Sequence, residues 1–140
     1  MPDELTPLPA VGPVLGVGVD LCEVDRLRRA MARTPGMRDR LFSPAEQAYC
    51  ERRSDPGERY AARFAAKEAV LKALGVGLGA CSLYDIEVVN EPSGAPRLAL
   101  KASAAKLAAA RGVVGWHLTL THTSSLAQAT ALALGEPGAL

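Results

Sequence analysis

The chain has 140 residues, 49% of them apolar and 22% charged, and its 16 basic against 15 acidic residues leave a formal charge of +1. That is enough for one ordinary core, with no net field to hold nucleic acid or an anionic membrane. No apolar run reaches the roughly 20 residues that span a bilayer, and Cys22, Cys50 and Cys81 are too scattered for a structural zinc motif. A reduced, cytoplasmic protein with no nucleic-acid or membrane partner is the expectation.

Residues 1–13 are proline-rich and aperiodic, which reads as a flexible N-terminal extension before one domain over residues 14–140. Asp3 and Glu4, where an export signal would be basic, argue against secretion. Val14–Cys22 is a nearly continuous apolar run, suited to a buried strand ending near Asp20. The spacing of Val24, Leu27 and Met31 predicts a helix over Glu23–Arg33, broken by Thr34-Pro35-Gly36. Ser43-Pro44-Ala45-Glu46 has the form of a capping box and predicts a short helix to about Arg53. An alanine-rich helix should follow from about Glu58 to Leu74, stopped by Gly75 and the Gly77/Gly79 pair. Leu83–Asn90 and Arg97–Lys101 read as strands joined by a turn. Ala102–Arg111 is a further helix, and Trp116–His122 with Ala127–Leu134 forms a closing hairpin. Elements mixed in this way, without a strict β-α-β rhythm, predict an α+β domain with a largely antiparallel sheet packed on the long alanine-rich helix.

Gly16-Val17-Gly18-Val19-Asp20 lacks the third glycine of a dinucleotide loop, and Asp20 would repel a bare pyrophosphate. A carboxylate at a strand end can cap the next helix or hold a hard cation, and the sequence leaves both open. Phe64, Glu68 and Lys72 fall on one helical face beside Ala61 and Ala65. There Glu68 and Lys72 make either a surface ion pair worth a few tenths of a kcal/mol or a functional pair. Gly75-Val76-Gly77-Leu78-Gly79 lies at the negative end of that helix, better suited to line a channel for an uncharged segment than to cradle phosphate. Thr119-Leu120-Thr121-His122 offers hydroxyls and an imidazole that can donate to phosphate oxygens. Arg26, Arg28, Arg29 and Arg33 make either a solvated face or a docking surface for an acidic protein.

Three separated segments resemble one family, the bacterial holo-[acyl-carrier-protein] synthases, which are 4′-phosphopantetheinyl transferases. Gly18-x-Asp20 with Arg26 is similar to the family's first motif, Phe64-x-x-Lys67-Glu68-Ala69-x-x-Lys72-Ala73 to its second, and Thr119-x-Thr121-His122 to its third. The resemblance covers roughly residues 14–134 and implies the phosphopantetheinyl transferase fold. It implies a serine of apo-acyl carrier protein attacking the β-phosphate of coenzyme A, releasing adenosine 3′,5′-bisphosphate. Asp20 and Glu68 would then hold Mg²⁺, with Glu68 or a metal-held water as base and Lys72 assisting the leaving phosphate. Coenzyme A would meet Lys67, Lys72, Gly75, Gly77, Gly94, Pro96, Thr121 and His122. Arg26, Arg28, Arg29, Met31 and Arg33 would dock the carrier protein. The resemblance also implies a homotrimer with sites between subunits, and Ala95 stands where many relatives carry lysine. A non-catalytic module binding coenzyme A or a carrier protein on the same fold is the alternative.

Overall fold

The computed structural model describes residues 12–138, so residues 1–11 of the expected extension lie outside the described range. In chain order the elements are β1 (Val14–Glu23), α1 (Val24–Arg33), α2 (Met37–Leu41), α3 (Pro44–Glu51), α4 (Pro56–Ala73), β2 (Ile86–Asn90), β3 (Pro96–Leu100), α5 (Ala102–Ala110), β4 (Gly115–His122) and β5 (Leu126–Leu134). Every pairing is antiparallel: β5 lies between β1 and β4 in one sheet, and β2 pairs with β3 in a hairpin. This is the α+β arrangement that the sequence predicts.

The period of two in the sheet decides what faces α4. Ala127, Ala129, Ala131 and Ala133 of β5 are buried on the inner face. They stand in register with Cys22, Asp20, Gly18 and Gly16 of β1, and with His122, Leu120, Leu118 and Trp116 of β4. The helix answers with Ala62, Ala65, Ala66, Ala69 and Ala73, all buried. Small residues on both sides let the helix settle almost onto the backbone of β1, where a Cβ at Gly16 or Gly18 would overlap the carbonyls of Ala73 and Ala69. The outer face is different: Val17, Val19 and Leu21 are exposed at 56%, 47% and 61%.

A buried polar knot fastens α3, α4 and β2. The capping box forms as expected, with Glu46 accepting from the Ser43 amide at 2.9 Å and Ser43 Oγ accepting from the Glu46 amide at 3.2 Å. Glu46 then accepts from Lys67 Nζ at 2.9 Å and from the Val88 amide at 2.9 Å. Lys67 also donates to the carbonyls of Leu83 at 3.0 Å and Ile86 at 2.6 Å.

Two elements differ from expectation. The strand expected over Leu83–Asn90 starts with a 3₁₀ turn at Leu83–Asp85, because Asp85 turns back to accept from the amide and hydroxyl of Ser103. Helix α2 is only five residues long, too short to leave a periodic signal.

Candidate active site

The residues singled out in the sequence fall into two patches on opposite flanks of α4. The first is built where β1 ends. Asp20 is buried on the inner face, and Lys72, three residues before Gly75, reaches back to it. Lys72 Nζ lies 2.9 Å from Asp20 Oδ1 and 3.1 Å from the Val19 carbonyl. The ion pair is therefore Lys72 with Asp20 and not the i, i+4 pair with Glu68. The Asp20 hydrogen bond holds the Lys72 ammonium above its usual range. Burial pushes the Glu68 carboxyl up, and the Asp20 charge pushes it further, with Lys72 opposing.

A carboxyl raised by burial and by the charge of a second carboxylate beside it suits a divalent cation, whose charge would offset both causes. Asp20 and Glu68 thus fit the metal role. The adjoining cleft, about 430 Å³, is walled by Arg26, Leu27, Ala30, Met37 and Phe64. Cys22 lies in the same cleft, its thiol pushed up to about 11 by burial and then by Asp20 and Glu68. On the other side of Lys72, a groove runs past Val17, Ala73, Gly75 and Val113. Gly75 ends α4 in the left-handed region at φ +74°, and the Arg111 guanidinium donates to the Leu74 carbonyl at the helix's negative end. Gly77 is exposed in the following loop.

The second patch lies beyond β4. A hollow of about 160 Å³ is lined by Tyr49, Arg59, Arg63, Asn90, Leu120 and His122, and Gly94 and Pro96 of the β2–β3 hairpin close it. Arg63 is only 2% exposed, its guanidinium 4.1 Å above the Tyr49 ring and hydrogen-bonded to Asn90. Its Nε has no hydrogen-bond partner among the described residues. His122 Nδ1 lies 3.0 Å from Glu58 Oε1. Two guanidiniums and an imidazole around a small hollow suit an anionic group. Arg59, Arg63, Tyr49 and Asn90 were not singled out in the sequence, although arginines one turn apart in an alanine-rich helix were a visible signal.

Three expectations are corrected. Lys67 cannot meet a coenzyme: it is fully buried, its three donors serving Glu46, Leu83 and Ile86. Thr121 does not join His122, because neighbours on a strand point to opposite faces, and Thr121 is exposed on the outer one beside Gln128. The α1 surface is divided as well. Arg26 lines the Asp20 cleft, and Arg29 and Arg33 follow it at helical spacing on the same side of α1, whereas Arg28 pairs with Asp25 and, with Met31, borders a separate hollow over Gly57.

Residues 16–130 match the family model of the 4′-phosphopantetheinyl transferase superfamily. The holo-[acyl-carrier-protein] synthase of Desulforudis audaxviator is 51% identical over 123 residues, 87% of this chain and 94% of that protein. That of Moorella thermoacetica is 49% identical over 119 residues, 85% of this chain and 93% of that protein. Among solved structures, the holo-ACP-synthase of Plasmodium yoelii superposes with a TM-score of 0.78 at 30% identity, covering 89% of this chain and 97% of that one. The Helicobacter pylori holo-[acyl-carrier-protein] synthase, solved with coenzyme A, gives 0.74 at 27% identity, covering 84% and 98%.

Proposed function

The chain belongs to the 4′-phosphopantetheinyl transferase superfamily, and from that premise we propose how its two patches serve a holo-[acyl-carrier-protein] synthase. The enzyme transfers 4′-phosphopantetheine from coenzyme A to a serine hydroxyl of apo-acyl carrier protein and releases adenosine 3′,5′-bisphosphate. The observation that carries the assignment is Asp20, Glu68 and Lys72 converging at one end of the Arg26 cleft.

Asp20 and Glu68 would hold Mg²⁺, which when bound would neutralise the diphosphate and polarise the phosphorus under attack. Glu68, whose carboxyl burial has already pushed up, takes the serine proton as the hydroxyl oxygen attacks. Lys72 stabilises the leaving phosphate from the far side of Asp20. Arg26, Arg29 and Arg33 bind acidic residues of the carrier protein, and the groove past Gly75 takes the uncharged pantetheine arm. The Arg59/Arg63/His122 hollow takes the remaining phosphate-bearing end of coenzyme A, with Gly94 and Pro96 as its rim.

The two patches lie at opposite edges of a three-strand row, Asp20–Ala129–Leu120, about 10 Å apart with α4 between them. We propose that each site is completed by a neighbouring copy, the β1 flank of one facing the β4 flank of the next in a homotrimer. The exposed stripe of Val17, Val19 and Leu21 supports this, being an apolar sheet face that no other element among the described residues covers. No helix among the described residues is long and apolar enough to cross a membrane, and a cytoplasmic location suits the carrier-protein substrate.

Intact-mass analysis of apo-acyl carrier protein incubated with the enzyme, coenzyme A and Mg²⁺ tests the reading. A phosphopantetheine-sized gain is expected, absent with EDTA and with Glu68→Ala. Binding of coenzyme A with no gain on any carrier protein would leave a non-catalytic module of the same fold.

A further inference from the structure

We propose that Glu58 is a positioning residue for coenzyme A: by engaging Nδ1 of His122 it makes the ring grip a phosphate only as an imidazolium, so that coenzyme capture takes up a proton. This rests on the reading of the Arg59/Arg63/His122 hollow as a phosphate site.

Glu58 Oε1 lies 3.0 Å from His122 Nδ1, and a carboxylate only accepts, so the hydrogen between them belongs to the ring. A neutral imidazole has one N–H, which leaves Nε2 bare. A phosphate oxygen also only accepts. With an acceptor at each nitrogen, the ring needs both hydrogens and carries a positive charge.

The surrounding charges fit that pattern. Asp55, the N-cap of α4, and Glu58, in its first turn, each place a carboxylate oxygen within 4.8 Å of a His122 ring nitrogen. Arg59 Nε offsets Asp55 at 3.3 Å, and Arg63 faces the hollow from the next turn of α4, stacked on Tyr49 of α3. Asn90, Gly94 and Pro96 of the β2–β3 hairpin are uncharged, as is Leu120 on β4. Cys22, in the same sheet row two strands away, keeps its proton with a thiol pushed to about 11. The Glu58 carboxylate thus sits on the Nδ1 side, and Arg59 and Arg63 line the same hollow as the ring.

A complex that needs hydrogens on both ring nitrogens forms more tightly at low pH and more weakly as pH rises. Calorimetric titration of coenzyme A at about pH 8, in two buffers of different ionisation heat, should show uptake approaching one proton per coenzyme bound. Affinity should fall toward tenfold per unit between about pH 7 and 8.5. In Glu58→Gln the carboxamide can donate to Nδ1, so a neutral ring presents N–H at Nε2; binding then becomes flat with pH and takes up no proton. In Glu58→Ala the orientation is lost, and the KM for coenzyme A should rise about tenfold, more than kcat falls. Wild-type binding without proton uptake, or Glu58→Gln taking up the same proton, would overturn this inference alone. Failure of coenzyme A to bind at all would overturn the reading of the hollow and this inference with it.

Discussion

Gly18 lies so close to Ala69 that a side chain between them has no room: a Cβ there would overlap the Ala69 carbonyl oxygen and stand 2.7 Å from the Ala73 amide nitrogen. The first-motif glycine is therefore a packing residue, setting how near α4 comes to β1 and hence how near Glu68 comes to Asp20. Gly18→Ala should force the helix outward, destabilising the fold by about 3 kcal/mol. Chemical denaturation measures that loss. In the folded fraction, transfer should fall further than coenzyme A affinity, because the carboxylates separate while the Arg63 hollow stays intact.

Glu68 illustrates a site held at a cost in stability. Its folded carboxyl is raised by burial and by Asp20, so the penalty is absent at a pH below both folded and unfolded values and complete above both. Without metal, stability should therefore decline as pH rises through the carboxylate range. Glu68→Gln removes the penalty and should raise the metal-free Tm at neutral pH by a few degrees while abolishing transfer. Added Mg²⁺ should raise the Tm of the wild type and leave that of Glu68→Gln unmoved. An equal Mg²⁺ response in both would remove Glu68 from the metal site.

Lys67 stands next to Glu68 in the second motif yet points the other way, into the knot with Glu46. Desolvation lowers the ammonium's proton affinity, and the Glu46 charge and hydrogen bond oppose it. Lys67→Met would leave Glu46 without its cation and the Leu83 and Ile86 carbonyls without a donor, a loss of about 3–5 kcal/mol. Lys67→Met with Glu46→Gln should recover part of it, since the neutral amide needs no cation and its one carbonyl oxygen can still accept from the Ser43 or the Val88 amide. Coenzyme A affinity of the folded double variant should match the wild type; a tenfold loss would restore Lys67 to the coenzyme site.

Much of this was legible in the sequence because it is local. Ser43-Pro44-Ala45-Glu46 gave away its helix start, and alternation marked β4 and β5. The opposite directions of Thr121 and His122 were also legible, since strand period alone separates them. Lys67 was not. With alanines at 61, 62, 65, 66, 69 and 73, nearly every side of α4 is buried, and no polar stripe tells an inward lysine from an outward one. Arg63 was hidden for the same reason. Its role depends on Tyr49 and Asn90, which come from α3 and β2 and meet it only in the folded chain.

The outer face of the sheet gives the last prediction. Val17, Val19 and Leu21 lie in rows with Leu132, Thr130 and Gln128, an apolar-to-polar gradient from β1 toward β5. Val19, 47% exposed, lies at the centre of the apolar stripe, and its side chain points away from Asp20 and α4. Val19→Lys should leave the monomer's fold intact, since the ammonium meets water on a free chain. In an assembly it would bury a charge without a partner, which costs several kcal/mol per interface. Sedimentation should therefore fall from three times the 14.6 kDa chain mass to one. Transfer should be lost with the trimer while circular dichroism stays unchanged, because the Asp20 flank and the Arg63 flank no longer meet across a subunit boundary. A Val19→Lys monomer with full activity would show that one chain holds a complete site.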